Sequence, residues 1–189
     1  MRIEEEIKLD YSDVLFRPKR STLKSRKDVD LNRKYTFKHS RSSWKGIPII
    51  ASNMDGVGEI DVAKKLSSHK LMTALTKQHD INQIGTIYKR NIFFDSIALS
   101  CGTSKDSYNR LNSILKKYPK FKFICIDVAN GYSENFSNFV SEVRKKYPKK
   151  TIIAGNVVTA DMTQELVLSG ADIVKVGIGP GSVCTTRIQ

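Results

Sequence analysis

Residues 151–177, TIIAGNVVTADMTQELVLSGADIVKVG, decide how this chain folds. The apolar, β-branched run that starts at Thr151 reads as a strand. Thr159, standing before Asp161 and Met162, reads as a helix N-cap, and Gly170 sits where a glycine ends a helix. A second β-branched run opens at Ile173. Strand, helix and strand in this order form the unit that joins two parallel strands through a crossover helix.

Toward the amino terminus the unit repeats. Apolar runs begin near Ile47, Leu71, Ser96, Phe121, Thr151 and Ile173, about twenty to thirty residues apart. Between them the apolar spacing turns helical: Ile60, Ala63 and Leu66; Ile81, Ile84 and Ile87; Tyr108, Leu111, Ile114 and Leu115; Phe136, Phe139, Val140, Val143 and Tyr147. Strand and helix alternate six times, which predicts an α/β fold with a parallel sheet covered by helices over residues 47–189. Residues 1–46 are more polar, with two short apolar pieces, Ile7 to Leu9 and Val14 to Phe16, and the basic run RPKRSTLKSRKDVD from Arg17. They read as an arm, either a strap over the base of the domain or a reach toward a phosphate or a neighbouring subunit.

A chain of 189 residues with 40% hydrophobic content buries one sizeable core. No apolar run approaches the ~18 residues of a membrane span, and MRIEEEIKLD lacks a signal-like apolar stretch, so a soluble, cytoplasmic protein with no membrane partner is expected. Three cysteines without C-x-x-C steps argue for reduced thiols rather than disulfides. The formal charge is +13, but Lys64, Lys65, Lys89, Lys116, Lys117, Lys145, Lys146, Lys149 and Lys150 are spread along helix faces and turns, as on a solvated surface. No aromatic-interleaved basic strand accompanies them, so no nucleic-acid partner is expected; attraction for anionic nucleotides is the milder inference.

In parallel sheets chemistry gathers where the strands end. Here those segments carry Asn53 and Asp55; Thr76, Lys77 and His79; Cys101 and Gly102; Asp127, Ala129, Asn130 and Gly131; and Gly155 and Asn156. Asn130-Gly131 also reads as a plain turn. The sixth run opens into IVKVGIGPGSVCTTR, residues 173–187, where Gly177, Gly179 and Gly181 let the backbone turn toward a ligand and Cys184 follows directly. A thiol of ordinary pKa, ~8.5, is only a few per cent thiolate at neutral pH, so a nucleophilic Cys184 needs a site that depresses that value, and Arg187 and the loop amides are the candidates for it. The loop lacks the G-K-[ST] ending of a P-loop and opens no dinucleotide-binding βαβ unit. His39, His69 and His79 show no metal-ligand spacing with the cysteines, and Cys125, inside FKFICID, reads as core packing.

Taken together, DVLFRPKRSTLKSRKDVDL, PIIASNMDGVG, FICIDVANGYSE, AGNVVT and SGADIVKVGIGPGSVCTTR resemble the amino-terminal part of the GMP reductases, in the IMP dehydrogenase/GMP reductase group of (β/α)8 TIM barrels. The resemblance covers nearly the whole chain and is weakest from Lys77 to Ser96. IMP dehydrogenases share the cysteine loop but typically carry inserted modules after the second strand, for which this chain has no room. The resemblance implies a barrel with about six of eight βα units present, in a truncated or split form. It implies NADPH-dependent reductive deamination of GMP to IMP and ammonia through a cysteine thioimidate, with Cys184 the nucleophile, Thr186 the proton-transfer group, and Lys77 contacting cofactor and assisting deamination. Asp127, Val128, Ala129, Ile178 and Gly179 match nicotinamide-cofactor segments, and Ser25 and Arg26 an arm reaching a neighbouring subunit's cofactor. The carbonyls of Gly179, Gly181 and Cys184, with Arg187 nearby, match a monovalent-cation site for K+. The family's histidines beside the lysine are Thr76 and Gln78 here. The implied partners are GMP and IMP, further copies in a homotetramer, or a complementary carboxy-terminal fragment. The alternatives are IMP dehydrogenase, which runs the same thiol chemistry with NAD and water, and an inactive nucleotide- or partner-binding remnant docking on a full-length relative.

Overall fold

The structure, a computed structural model, describes residues 7, 9, 11–89, 94–180 and 184. They fall into two compact units, 31–178 and a smaller one from 1–30 with 179–189.

The larger unit is a six-stranded parallel sheet. Its strands, in spatial order, are β3 (Ile50–Ala51), β4 (Met72–Leu75), β5 (Ile97–Cys101), β6 (Phe123–Asp127), β7 (Thr151–Val157) and β8 (Ile173–Val176). The connections carry α1 (Ile60–Ser68), α2 (Ile81–Lys89), α3 (Lys105–Lys117), α4 (Glu134–Lys146) and α5 (Ala160–Leu168). The alternation expected from the sequence is therefore met. Thr159 caps α5, its Oγ1 accepting from the Met162 amide at 3.4 Å, and Gly170 stops the chain after it at φ +110°.

The central strands are buried on both faces, which is why they read as continuous apolar runs. One parity, including Leu75, Leu99, Ile124 and Ile152, packs on the helices against Ile84, Leu111, Phe136 and Val140. The other, including Met72, Ala74, Ala98, Phe123, Cys125 and Ile153, forms a second cluster on the concave face. Two packed faces on one curled parallel sheet make this a partial (β/α)8 barrel.

At the carboxyl end of residues 1–46, the stretch expected as an arm or a strap over the base of the domain, the chain forms two strands. β1 (Arg33–Thr36) and β2 (Ser43–Gly46) form an antiparallel hairpin that belongs to the larger unit. Its Phe37 and Trp44 join the concave cluster, Phe37 standing edge-on to Phe123 at 5.8 Å. Ser40 and Ser42 hydroxyls meet the Thr151 hydroxyl at 3.0 and 2.8 Å. Asp172, whose side chain is 0% exposed, locks this base: Oδ1 accepts from the His39 and Ser40 amides, Oδ2 from the Ile152 amide at 3.1 Å and Arg144 Nη2 at 2.6 Å. Two aromatics among lysines and serines carry too little apolar periodicity for a sequence reading to place them in a core.

In the smaller unit, Ser25 caps a single 3-10 turn (Arg26–Asp28). Its hydroxyl accepts from the Lys27 amide at 3.2 Å while Asp28 accepts from the Ser25 amide at 3.0 Å. No helix among the described residues is long and apolar enough to cross a membrane.

Candidate functional site

Pairing register sets up the site. Asp127 of β6, Gly155 of β7 and Lys175 of β8 lie in one row across three neighbouring strands. Each continues the parity of the concave cluster, two residues beyond Cys125, Ile153 and Ile173. Because Gly155 has no side chain, the Lys175 stem crosses β7, and its ammonium donates to Asp127 Oδ1 and, at 3.1 Å, to Asn53 Oδ1. A Cβ on Gly155 would lie 2.5 Å from Lys175 Cβ and 2.6 Å from its carbonyl oxygen, so any larger residue would displace β8 or its lysine. The ends of β3, β6 and β8 are thereby tied through one cation.

Below this cluster lies a hollow of about 210 Å³, lined among others by Ala74, Cys125, Ile153 and Lys175. Whole small-molecule sites run to roughly 300–1,000 Å³, so this hollow has room for a group or ring and not for an entire nucleotide. Near the end of β7, Asn156 Nδ2 donates to the Gly177 carbonyl at 2.9 Å, while its Oδ1 is buried without a hydrogen-bond partner. Lys175 escaped the sequence reading because it sits inside the apolar run IVKV; the signal was a charge at an inward strand position, one row from a glycine.

The other expected residues divide clearly. Lys77 is exposed after β4, next to buried Thr76. Buried His79 turns toward the segment before α1, with Nε2 3.2 Å from Glu59 Oε2, and its carbonyl accepts from Arg110. Val128 packs against the helix-side cluster, Ala129 is exposed and Ile178 half-buried. Asn130 acts as the turn former, its Oδ1 accepting from the Tyr132 amide at 3.1 Å.

Cys101 faces the helices, so its place at a strand end does not put it in the row with Asp127. Burial, then the neighbouring Cys125, pushes its thiol up to about 12. Burial pushes Cys125 up to about 11. Neither is a nucleophile near neutrality. Cys184, in the smaller unit, is partly exposed. Ser25 and Arg26 form the capped turn already described, and Gly179 takes φ +59°. Gly181, Thr186 and Arg187 lie outside the described residues.

Residues 8–189 match the family model of the IMP dehydrogenase / GMP reductase domain. GMP reductase of Yersinia enterocolitica is 54% identical over 191 aligned residues, which cover 100% of this chain and 55% of the relative. GMP reductases of Vibrio parahaemolyticus and Escherichia coli are 52% and 53% identical with the same coverage. The chain thus spans about half the length of the curated relatives it matches. Among solved structures, inosine 5' monophosphate dehydrogenase from Legionella pneumophila superposes with a TM-score of 0.75 at 28% identity, covering 95% of this chain and 54% of that one.

Proposed function

The chain belongs to the IMP dehydrogenase / GMP reductase family, and from that premise we propose that it forms the amino-terminal part of an NADPH-dependent GMP reductase. The observation that carries this reading is the 54% identity to a GMP reductase across the whole of the chain. The burial of Cys101 and Cys125 supports it, since it leaves Cys184 as the accessible thiol among the described residues.

In this reading the Cys184 thiolate adds to C2 of the GMP purine. The 2-amino group leaves as ammonia, with Thr186 and Lys77 handling the protons, and a thioimidate joins Cys184 to C2. Bound NADPH supplies hydride to that carbon. The C–S bond then breaks, the thiolate is restored and IMP departs; GMP, NADPH and two protons have become IMP, NADP+ and ammonium. A thiolate suits both halves because it is a strong nucleophile and a good leaving group.

In this reading Asp127 is an acceptor for the nicotinamide amide at the strand ends, and Lys175 holds Asp127 in place. Ser25 and Arg26 reach a neighbouring subunit's cofactor in a homotetramer. In this reading the backbone carbonyls of Gly179, Gly181 and Cys184 are the ligands of a monovalent cation, K+, since a ligand set of carbonyls carries no charge to favour a divalent ion. The test is to offer the complete protein that carries this sequence GMP with NADPH, and separately IMP with NAD. NADPH oxidation with GMP is expected; NAD reduction with IMP alone would assign the protein to the dehydrogenase branch instead.

A further inference from the structure

Two helices of this chain end in the same five residues, KKYPK at 116–120 and 145–149. In both the tyrosine ends the helix, Tyr118 at φ −127°, ψ 72° and Tyr147 at φ −123°, ψ 63°, and the proline turns the chain toward its next strand. Those strands, β6 and β7, are parallel neighbours. The two turns therefore lie side by side at the base of the sheet, away from the strand ends that carry the candidate site. Lysines spread along the sequence become adjacent in space, because every helix of a βα unit ends on that same face.

Between the turns is a hollow of about 380 Å³, lined by Lys120, Lys122, Lys149 and Lys150 with Asp95 and Phe94. Asp95, its one lining carboxylate among the described residues, is 2.7 Å from Lys122. Lys150 is built into the wall, donating to the carbonyls of Pro119 and Phe121. Burial, then the nearby Lys122, lowers its pKa. Lys120 stands over the Tyr88 and Phe94 rings at 5.5 and 5.7 Å. The helix dipole explains basic residues in the last turn, such as Lys116, Lys117, Lys145 and Lys146. It does not explain four more beyond the helix ends, where like charges oppose one another. Four lysines and one aspartate give the hollow a net charge of +3, whereas a single phosphate monoester carries only about −1.5 to −2.

We propose that this hollow binds a polyphosphate chain, either free or as the tail of a nucleoside triphosphate. The test is calorimetric titration of tripolyphosphate into the protein at low and at physiological salt. It compares a Lys120→Gln/Lys122→Gln/Lys149→Gln variant with a control of equal charge loss elsewhere, Lys64→Gln/Lys65→Gln/Lys105→Gln. Loss of three charge-assisted contacts is expected to weaken binding by about ten-fold or more, the control by less than about two-fold. Should the triple variant fold poorly, Lys120→Gln/Lys149→Gln, which alters two exposed residues, is expected to weaken binding by at least about three-fold. Titration with ATP separates the two sources, since equal affinity means that the phosphate chain alone is recognised and tighter binding means that a nucleoside adds to it. Equal losses in site and control variants, orthophosphate binding as tightly as tripolyphosphate, or retention of a single-stranded oligonucleotide but not of tripolyphosphate would overturn the proposal.

Discussion

Replacing Lys175 by Met keeps the stem that crosses Gly155 but removes the ammonium that ties Asp127 and Asn53 together. Both members of the ion pair are 27% exposed, between a surface pair and a buried one. Surface pairs contribute about 0–1 kcal/mol and breaking a fully buried one costs about 3–5 kcal/mol. After discounting for solvent screening, about 1–1.5 kcal/mol belongs to the pair, and the lost bond to Asn53 adds about 0.5–1 kcal/mol. The expected loss is about 2 kcal/mol, or about 4–8 °C in Tm for a domain of this size. The assay is urea unfolding of the wild type, Lys175→Met, Asp127→Asn and the double variant. A coupling of about 1 kcal/mol is expected, because once the lysine is gone the carboxylate has little left to lose. On the proposed function, Lys175→Met in the complete protein should raise the KM for NADPH more than it lowers kcat. Additive single losses, with coupling under about 0.3 kcal/mol, would show that the three strand ends are not held through this cation.

Asp172→Asn should cost about 3–5 kcal/mol, since its amide would set N–H groups against donors that now meet a carboxylate, whereas Asp95→Asn on the exposed Lys122 pair should cost under about 1 kcal/mol; equal losses in chemical denaturation would contradict the description of the base. Cys101 and Cys125 stay protonated in the fold up to about 12 and about 11, whereas the unfolded chain loses these protons from near 9.0. The thiol contribution to stability is therefore full below pH 9 and falls above it, by up to about 1.4 kcal/mol per pH unit for each thiol. The decline in urea midpoint from pH 9 to 11 should be shallower in Cys125→Ala, and parallel declines would refute this. Mild iodoacetamide should label Cys184 before Cys101 or Cys125, which are 0% and 1% exposed; peptide mass mapping that finds either buried thiol modified first would remove Cys184 from its role.

The parallel architecture was legible because its causes are local. A strand buried on both faces must be apolar throughout, a helix facing a sheet must repeat its apolar residues every three to four positions, and Thr159 and Gly170 mark the ends of α5 by their own chemistry. What escaped the sequence depends on register. Nothing in the text of the chain says that Asp127, Gly155 and Lys175 share a row, and a lysine within IVKV reads as an interruption until its neighbours across the sheet are known. Cys101 and Cys125 follow the same logic from opposite sides: one residue's difference in parity turns Cys101 to the helices and Cys125 to the concave face. The hairpin at 33–46 was hidden for another reason, since Phe37 and Trp44 are buried by partners far along the chain and not by a pattern of their own.

The central claim is that one thiol, Cys184, carries the reduction of GMP. The most direct measurement follows NADPH consumption and ammonia release together in the complete protein given GMP, for the wild type and for Cys184→Ala. The proposal predicts one ammonia per NADPH oxidised in the wild type and loss of both signals in the variant. Undiminished turnover in Cys184→Ala, or NADPH oxidation without ammonia, would contradict it.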